Sequence, residues 1–101
     1  MIERVERILA HAKDEDAFLH DVWLQDAVLR NLEVIGEAAK GVSQELRATF
    51  PKVPWREAAA FRDFVAHAYD KVTPQRVWAV VEDELPGLLM NLRTIAETKG
   101  W

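Results

Sequence analysis

The chain has 101 residues, half of them hydrophobic and 30% charged. That balance excludes a disordered tail and suits a single domain, residues 1–101, able to bury roughly 60–70% of its unfolded surface. The absence of cysteine excludes disulfides, thiolate metal sites and a cysteine nucleophile, and fits a reducing compartment. A net charge of −4 speaks against a nonspecific nucleic-acid coat, yet the charge is unevenly spread: −5 over residues 1–39, +3 over 40–76 and −2 over 77–101.

The opening stretch, MIERVERILAHAKDED, is charged throughout and has no leader-like apolar core. No apolar run approaches the ~20 residues of a membrane span, so a soluble cytoplasmic protein is expected. Ile2, Val5, Leu9 and Ala12 share one helical stripe, and Asp14 suits the N-cap of a short turn through Phe18. From about 22 to 40, Leu24, Val28, Leu32, Ile35 and Ala39 recur at spacings of three and four. Gly36 lies inside that helix at a cost of about 1 kcal/mol relative to alanine, which predicts a close approach by a neighbouring helix. Gly41 supplies a stop, and Ser43 an N-cap for a short helix ending near Phe50.

PKVP then breaks the chain, and Pro54 suits the first position of a helix running to about residue 70. Thr73 and Pro74 open a last helix with Val77, Val81, Leu85, Leu88, Leu92 and Ile95 on its stripe; Pro86 predicts a kink or break just before it. Sustained alternation and hairpin turns are missing from the sequence. The expected fold is all-α, an up-down bundle of four to five helices joined by short loops.

The basic middle segment contains RDFVAHAY, residues 62–69. Asp63 and His67 are four apart, on one face and within hydrogen-bonding reach, so the carboxylate can orient the imidazole for acid–base work. Arg62 and Tyr69 are seven apart and return to nearly the same direction, whereas Arg62 and His67 differ by about 140°. An exposed polar face with an incidental ion pair accounts for the same spacing. A single histidine cannot readily act as both acid and base in one step, which makes a dimer with two facing copies of this helix attractive. His11 and His20 have no partner at metal-ligand spacing and read as surface residues. Glu82, Asp83 and Glu84 read as a solvated run, with no metal-binding pattern around them. Trp23, Trp55 and Trp78 read as core or interface anchors, and Trp101 as a disordered or partner-bound end.

Arg62, Asp63, His67 and Tyr69 together match Arg-polar-x-x-x-His-x-Tyr, which resembles the signature of the HEPN superfamily and, within it, the HepT-like toxins paired with a minimal nucleotidyltransferase antitoxin. LRNLEVIGEAAKGVSQELRATFPKVPWREAAAFRDFVAHAYDKV (29–72) is similar to the central block of that family, and VWAVVEDELPGLLMNL (77–92) to its last helix. The resemblance implies a HEPN-like homodimer acting as a metal-independent endoribonuclease, without cofactor, on an RNA substrate. In it Arg62 and His67 are the catalytic residues and Asp63 supports the histidine; the family often has asparagine there, and a full negative charge weighs against turnover. Tyr69 matches the position adenylylated by the nucleotidyltransferase antitoxin, and Asn31 and Glu37 match possible supporting positions. The alternative is a non-catalytic helical subunit that binds nucleotide or RNA in complex with a nucleotidyltransferase. A purely structural helical interaction protein is the third option.

Overall fold

Helix α3 (Val22–Lys40), at 19 residues the longest among the described residues, organises the others around it. The computed structural model describes residues 1–68 and 73–100, so the readings placed on Tyr69 and Trp101 lie outside the described residues. The order is α1 (Ile2–His11), α2 (Glu15–Leu19), α3, α4 (Gln44–Thr49), α5 (Trp55–Ala68), α6 (Pro74–Asp83) and α7 (Leu85–Lys99). Among the described residues the fold is all helical, as expected. Of these helices, α4 is the short one expected after Ser43, α2 is a single short helix where a turn was expected, and the last expected helix divides into α6 and α7 just before Pro86.

Local chemistry sets the boundaries. The Asp14 carboxylate accepts from the Ala17 amide at 3.1 Å, that of Asp21 from Leu24 at 3.0 Å, and the Ser43 hydroxyl from Leu46 at 3.2 Å. Each satisfies an amide that the first helical turn leaves without a partner. At the end of α3, Gly41 keeps a right-handed φ of −79°. Its amide still donates to the Glu37 and Ala38 carbonyls at 3.3 and 3.2 Å, and Arg47 adds a donor from Nη2 to the Ala39 carbonyl at 2.7 Å and from Nε to the Val42 carbonyl just beyond the helix at 3.3 Å. Pro54 stands just outside α5, one position earlier than the sequence predicts, and its carbonyl accepts the Ala58 amide at 2.9 Å. Glu84 separates α6 from α7, and Pro86 occupies the first turn of α7, where its missing N–H leaves no helical bond unmade.

Along α3 the apolar stripe Val28, Leu29, Leu32, Ile35 and Ala39 is buried, and the helix packs against α1, α2, α5 and α6. Burial of each large aliphatic side chain there stabilises the fold by about 1.5–3 kcal/mol. Phe18 on α2 packs on Trp78 of α6 with ring centroids 5.5 Å apart. Trp55 and Trp78 are core residues, whereas Trp23 is 86% exposed, off the α3 stripe. No helix among the described residues is long and apolar enough to cross a membrane.

Candidate active site on helix α5

Helix α5 is seated before it begins. The Trp55 indole N–H donates to the Phe50 carbonyl at 3.0 Å, and Val53 and Trp55 are buried. Trp55, Ala58, Phe61 and Val65 then form one covered stripe at spacings of three and four. That stripe fixes the helix's rotation and leaves Arg62, Asp63 and His67 exposed. Arg62 falls on the flank that adjoins α3. His67, about 140° further round, lies on the crest opposite the core.

On the α3 flank the fit is close. A Cβ built on Gly36 would lie 2.7 Å from the backbone nitrogen of Arg62, 3.2 Å from its Cβ and 3.3 Å from its Cα. The close approach predicted at Gly36 is therefore made, and its partner is the arginine of the motif. The neighbouring residue on α3, Glu37, reaches the guanidinium: Oε1 stands 2.7 Å from Arg62 Nε, with both side chains about half exposed. This pair brings together two of the residues singled out from sequence, across two helices.

The other residues are placed differently. Among the described residues no hydrogen bond or ion pair joins Asp63 to His67, although helical spacing puts them on one face. Both side chains are exposed. Asn31 accepts from Arg4 Nη1 at 3.2 Å and donates to the Ala27 carbonyl at 2.7 Å, so its amide is engaged on the α1 side of α3. Tyr69 lies outside the described residues. His11 and His20 are exposed, each donating from Nδ1 to the carbonyl four residues earlier, at 2.9 and 2.8 Å. Arg4, the partner of Asn31, was not singled out from sequence; its position on α1 carries no motif that would have marked it.

On the opposite flank of α5 a groove opens towards α7, lined by Lys52, Glu57, Phe61, Asp83, Glu84 and Leu88 among others. Three of these are carboxylates. Partial burial, followed by the negative charges of Asp83 and Glu57, pushes the Glu84 carboxyl above its ordinary 4.5.

What these exposed groups can do chemically is bind an anion and move protons. A guanidinium offers planar donors to a phosphate, and an imidazole on an open crest can exchange a proton with a bound substrate. Helix α5 carries one of each in this motif.

The sequence profile of the ribonuclease HepT-like family matches residues 1–95, and the chain belongs to that family. It is 40% identical over 87 residues to a protein of Thermococcus cleftensis named "Probable ribonuclease HepT", covering 86% of this chain and 78% of that one. A protein of Caldanaerobacter subterraneus subsp. tengcongensis, provisionally named an RNase, is 38% identical over 97 residues, covering 96% of this chain and 82% of its own. A protein of Methanocaldococcus jannaschii, named a gamma-glutamylcyclotransferase and provisionally an RNase, is 37% identical over 99 residues. The match covers 96% of this chain and 45% of that longer relative. No solved structure gives a significant match.

Proposed function

We propose that the protein is a metal-independent endoribonuclease whose working unit is a homodimer, with two copies of α5 facing each other across an RNA-binding cleft. The observation that carries this reading is the exposure of Arg62 and His67 on α5 in a chain of the HepT-like ribonuclease family. His67 stands on the crest with no partner group in its own subunit among the described residues, so a second imidazole has to come from a second copy.

In the reaction, one His67 takes the proton of a ribose 2′-hydroxyl while the 2′-oxygen forms a bond to the adjacent phosphorus. The P–O5′ bond breaks, and the His67 of the other copy, entering protonated, gives its proton to the leaving 5′-oxygen. The products are a 2′,3′-cyclic phosphate and a 5′-hydroxyl. Arg62 binds the non-bridging oxygens and stabilises the charge that builds on them; such a contribution is worth about 2.7–4 kcal/mol. Asp63 orients the imidazole when substrate closes the site, at the cost of a negative charge near the phosphate.

The same reading makes the protein the toxin of a cytoplasmic toxin–antitoxin pair, silenced by a nucleotidyltransferase that adenylylates Tyr69. A nucleotide added two residues beyond His67 brings bulk and negative charge to the place an RNA phosphate must occupy. The resemblance of RDFVAHAY to the family signature supports this part.

The second reading, a non-catalytic RNA- or nucleotide-binding subunit, is favoured by the Glu37 carboxylate already paired with Arg62 and by the missing Asp63–His67 contact. Purified protein incubated with RNA in the presence of a chelator separates the two. We expect cleavage, and we expect His67→Ala to reduce it by about 10²–10⁴-fold with an unchanged melting temperature. Equal cleavage by wild type and His67→Ala removes the catalytic role; binding without any cleavage gives the second reading.

A further inference from the structure

We propose that Gly36 is a positioning residue for Arg62. By lacking a side chain, it admits the α5 backbone against α3 and so fixes where the guanidinium stands relative to Glu37. The inference deepens the ribonuclease reading and rests on it for its consequence in catalysis, though its geometry is independent of any activity.

Three observations converge. The atoms nearest an added Cβ at Gly36 all belong to Arg62, and the closest, at 2.7 Å, is backbone, which cannot rotate out of the way. The next residue along α3, Glu37, grips the same arginine's Nε at 2.7 Å. Gly36 is buried and sits inside a 19-residue helix, more than a turn from its end, a place where glycine weakens the helix relative to alanine. Thus α3 presents a gap and a carboxylate side by side, and Arg62 uses both: its backbone fills the gap and its side chain meets the carboxylate. A methyl group in the gap has to push α5 outward by a few tenths of an ångström or more, and the displacement falls first on the residue meant to meet the phosphate. Effects of this kind act strongly on rate, because a misplacement of about 1 Å can cost about 10²-fold.

A control exists in the same molecule. Gly87, on α7, has nothing within 4 Å of where its Cβ would stand. Gly87→Ala therefore reports what a methyl on a helical glycine does when no neighbour is pressed.

The test compares wild type, Gly36→Ala, Gly87→Ala, Glu37→Gln and the Gly36→Ala/Glu37→Gln double variant. The readouts are kcat and KM on a single-stranded RNA, thermal melts, and the NMR resonance of the Arg62 Nε–H. We expect Gly36→Ala to lower kcat about tenfold or more while remaining folded at the assay temperature, and to shift the Arg62 Nε–H resonance. Gly87→Ala should do neither. Glu37→Gln should lower kcat in the wild-type background and add less than about twofold in the Gly36→Ala background, since the two changes disturb one arrangement. A wild-type kcat in Gly36→Ala, an unmoved Arg62 resonance, or losses that multiply would overturn the proposal. Should Gly36→Ala alone melt below the assay temperature, it is remade with Gly87→Ala, which favours the helix. Failure to fold in that background also overturns it, because Gly36 would then determine the fold and not the place of one arginine. Absence of RNA cleavage by wild type counts against the ribonuclease reading, while the Arg62 resonance still decides whether Gly36 positions the side chain.

Discussion

The two flanks of α5 are built on opposite plans. Towards α3 the helices touch, a glycine makes room, and a cation meets an anion at 2.7 Å. Towards α7 there is an open groove in which Glu57, Asp83 and Glu84 sit near one another and burial disfavours the charge of one of them. The exposed Arg62–Glu37 pair contributes little to stability, since half-exposed ion pairs are worth about 0–1 kcal/mol. Its significance lies in geometry: the tight flank fixes where the cation proposed to bind phosphate stands, whereas the slack flank leaves carboxylates close together in an open groove. The same helix is thus held on one side for position and on the other only for attachment.

The sharpest way to break this contrast is to remove the floor shared by both flanks. Phe61 is 4% exposed, next in sequence to Arg62, and lines the α7 groove. Phe61→Ala should destabilise the fold by about 3–5 kcal/mol, measured by chemical denaturation, because the open groove cannot collapse to fill the space. A loss below about 1 kcal/mol would mean that α5 is not anchored from this side. A smaller effect is expected at the crest. Asp63→Asn removes a negative charge beside the proposed phosphate site while keeping a side chain that can still hydrogen-bond. At about 4 Å in water one unit charge is worth about 1 kcal/mol, so kcat/KM for RNA should rise about fivefold, and the gain should shrink as salt is added. A fall in kcat/KM instead would make the carboxylate's hold on His67 more important than its repulsion of the substrate.

Much of this was legible in the sequence because it is local. Asp14 and Ser43 cap the helices they were expected to cap, since a side-chain oxygen three residues ahead of an unpaired amide needs no tertiary help. Pro86 breaks the last helix because a ring without an N–H acts within its own turn. The α3 stripe followed from the 3.6-residue period, with Leu24 only half-buried at its start. What could not be read depends on distant segments. A glycine in mid-helix announces a close neighbour but not which one, and Glu37 as the partner of Arg62 follows only once α3 and α5 are laid together. Asn31, expected to support the site, is claimed by Arg4 on α1, whose approach no spacing rule encodes. The Asp63–His67 contact has the right spacing and is still not made: spacing permits a pair on an exposed crest, but only packing or a bound substrate can hold it. Trp23 shows the converse, a residue type that suits a core lying outside it at 86% exposure.

The smallest predicted effect tests the slack flank directly. In the folded protein the Glu84 carboxyl is raised above its ordinary 4.5, first by partial burial and then by Asp83 and Glu57. The native state therefore holds this proton more tightly than the unfolded chain does. That preference contributes stability which is fully present below pH 4.5 and is lost as pH rises through the folded value; above it, the ionised carboxylate is a net burden. Glu84→Gln keeps the shape and removes the charge, so it should stabilise the protein at pH 7 by less than about 1 kcal/mol and have no such benefit at pH 4. Melting temperatures of the two proteins across that range, at low salt, provide the measurement. Curves that stay parallel from pH 4 to 7 would show that the carboxylates of the groove do not oppose one another, and the distinction between a positioned flank and a merely attached one would then rest on Gly36 and Glu37 alone.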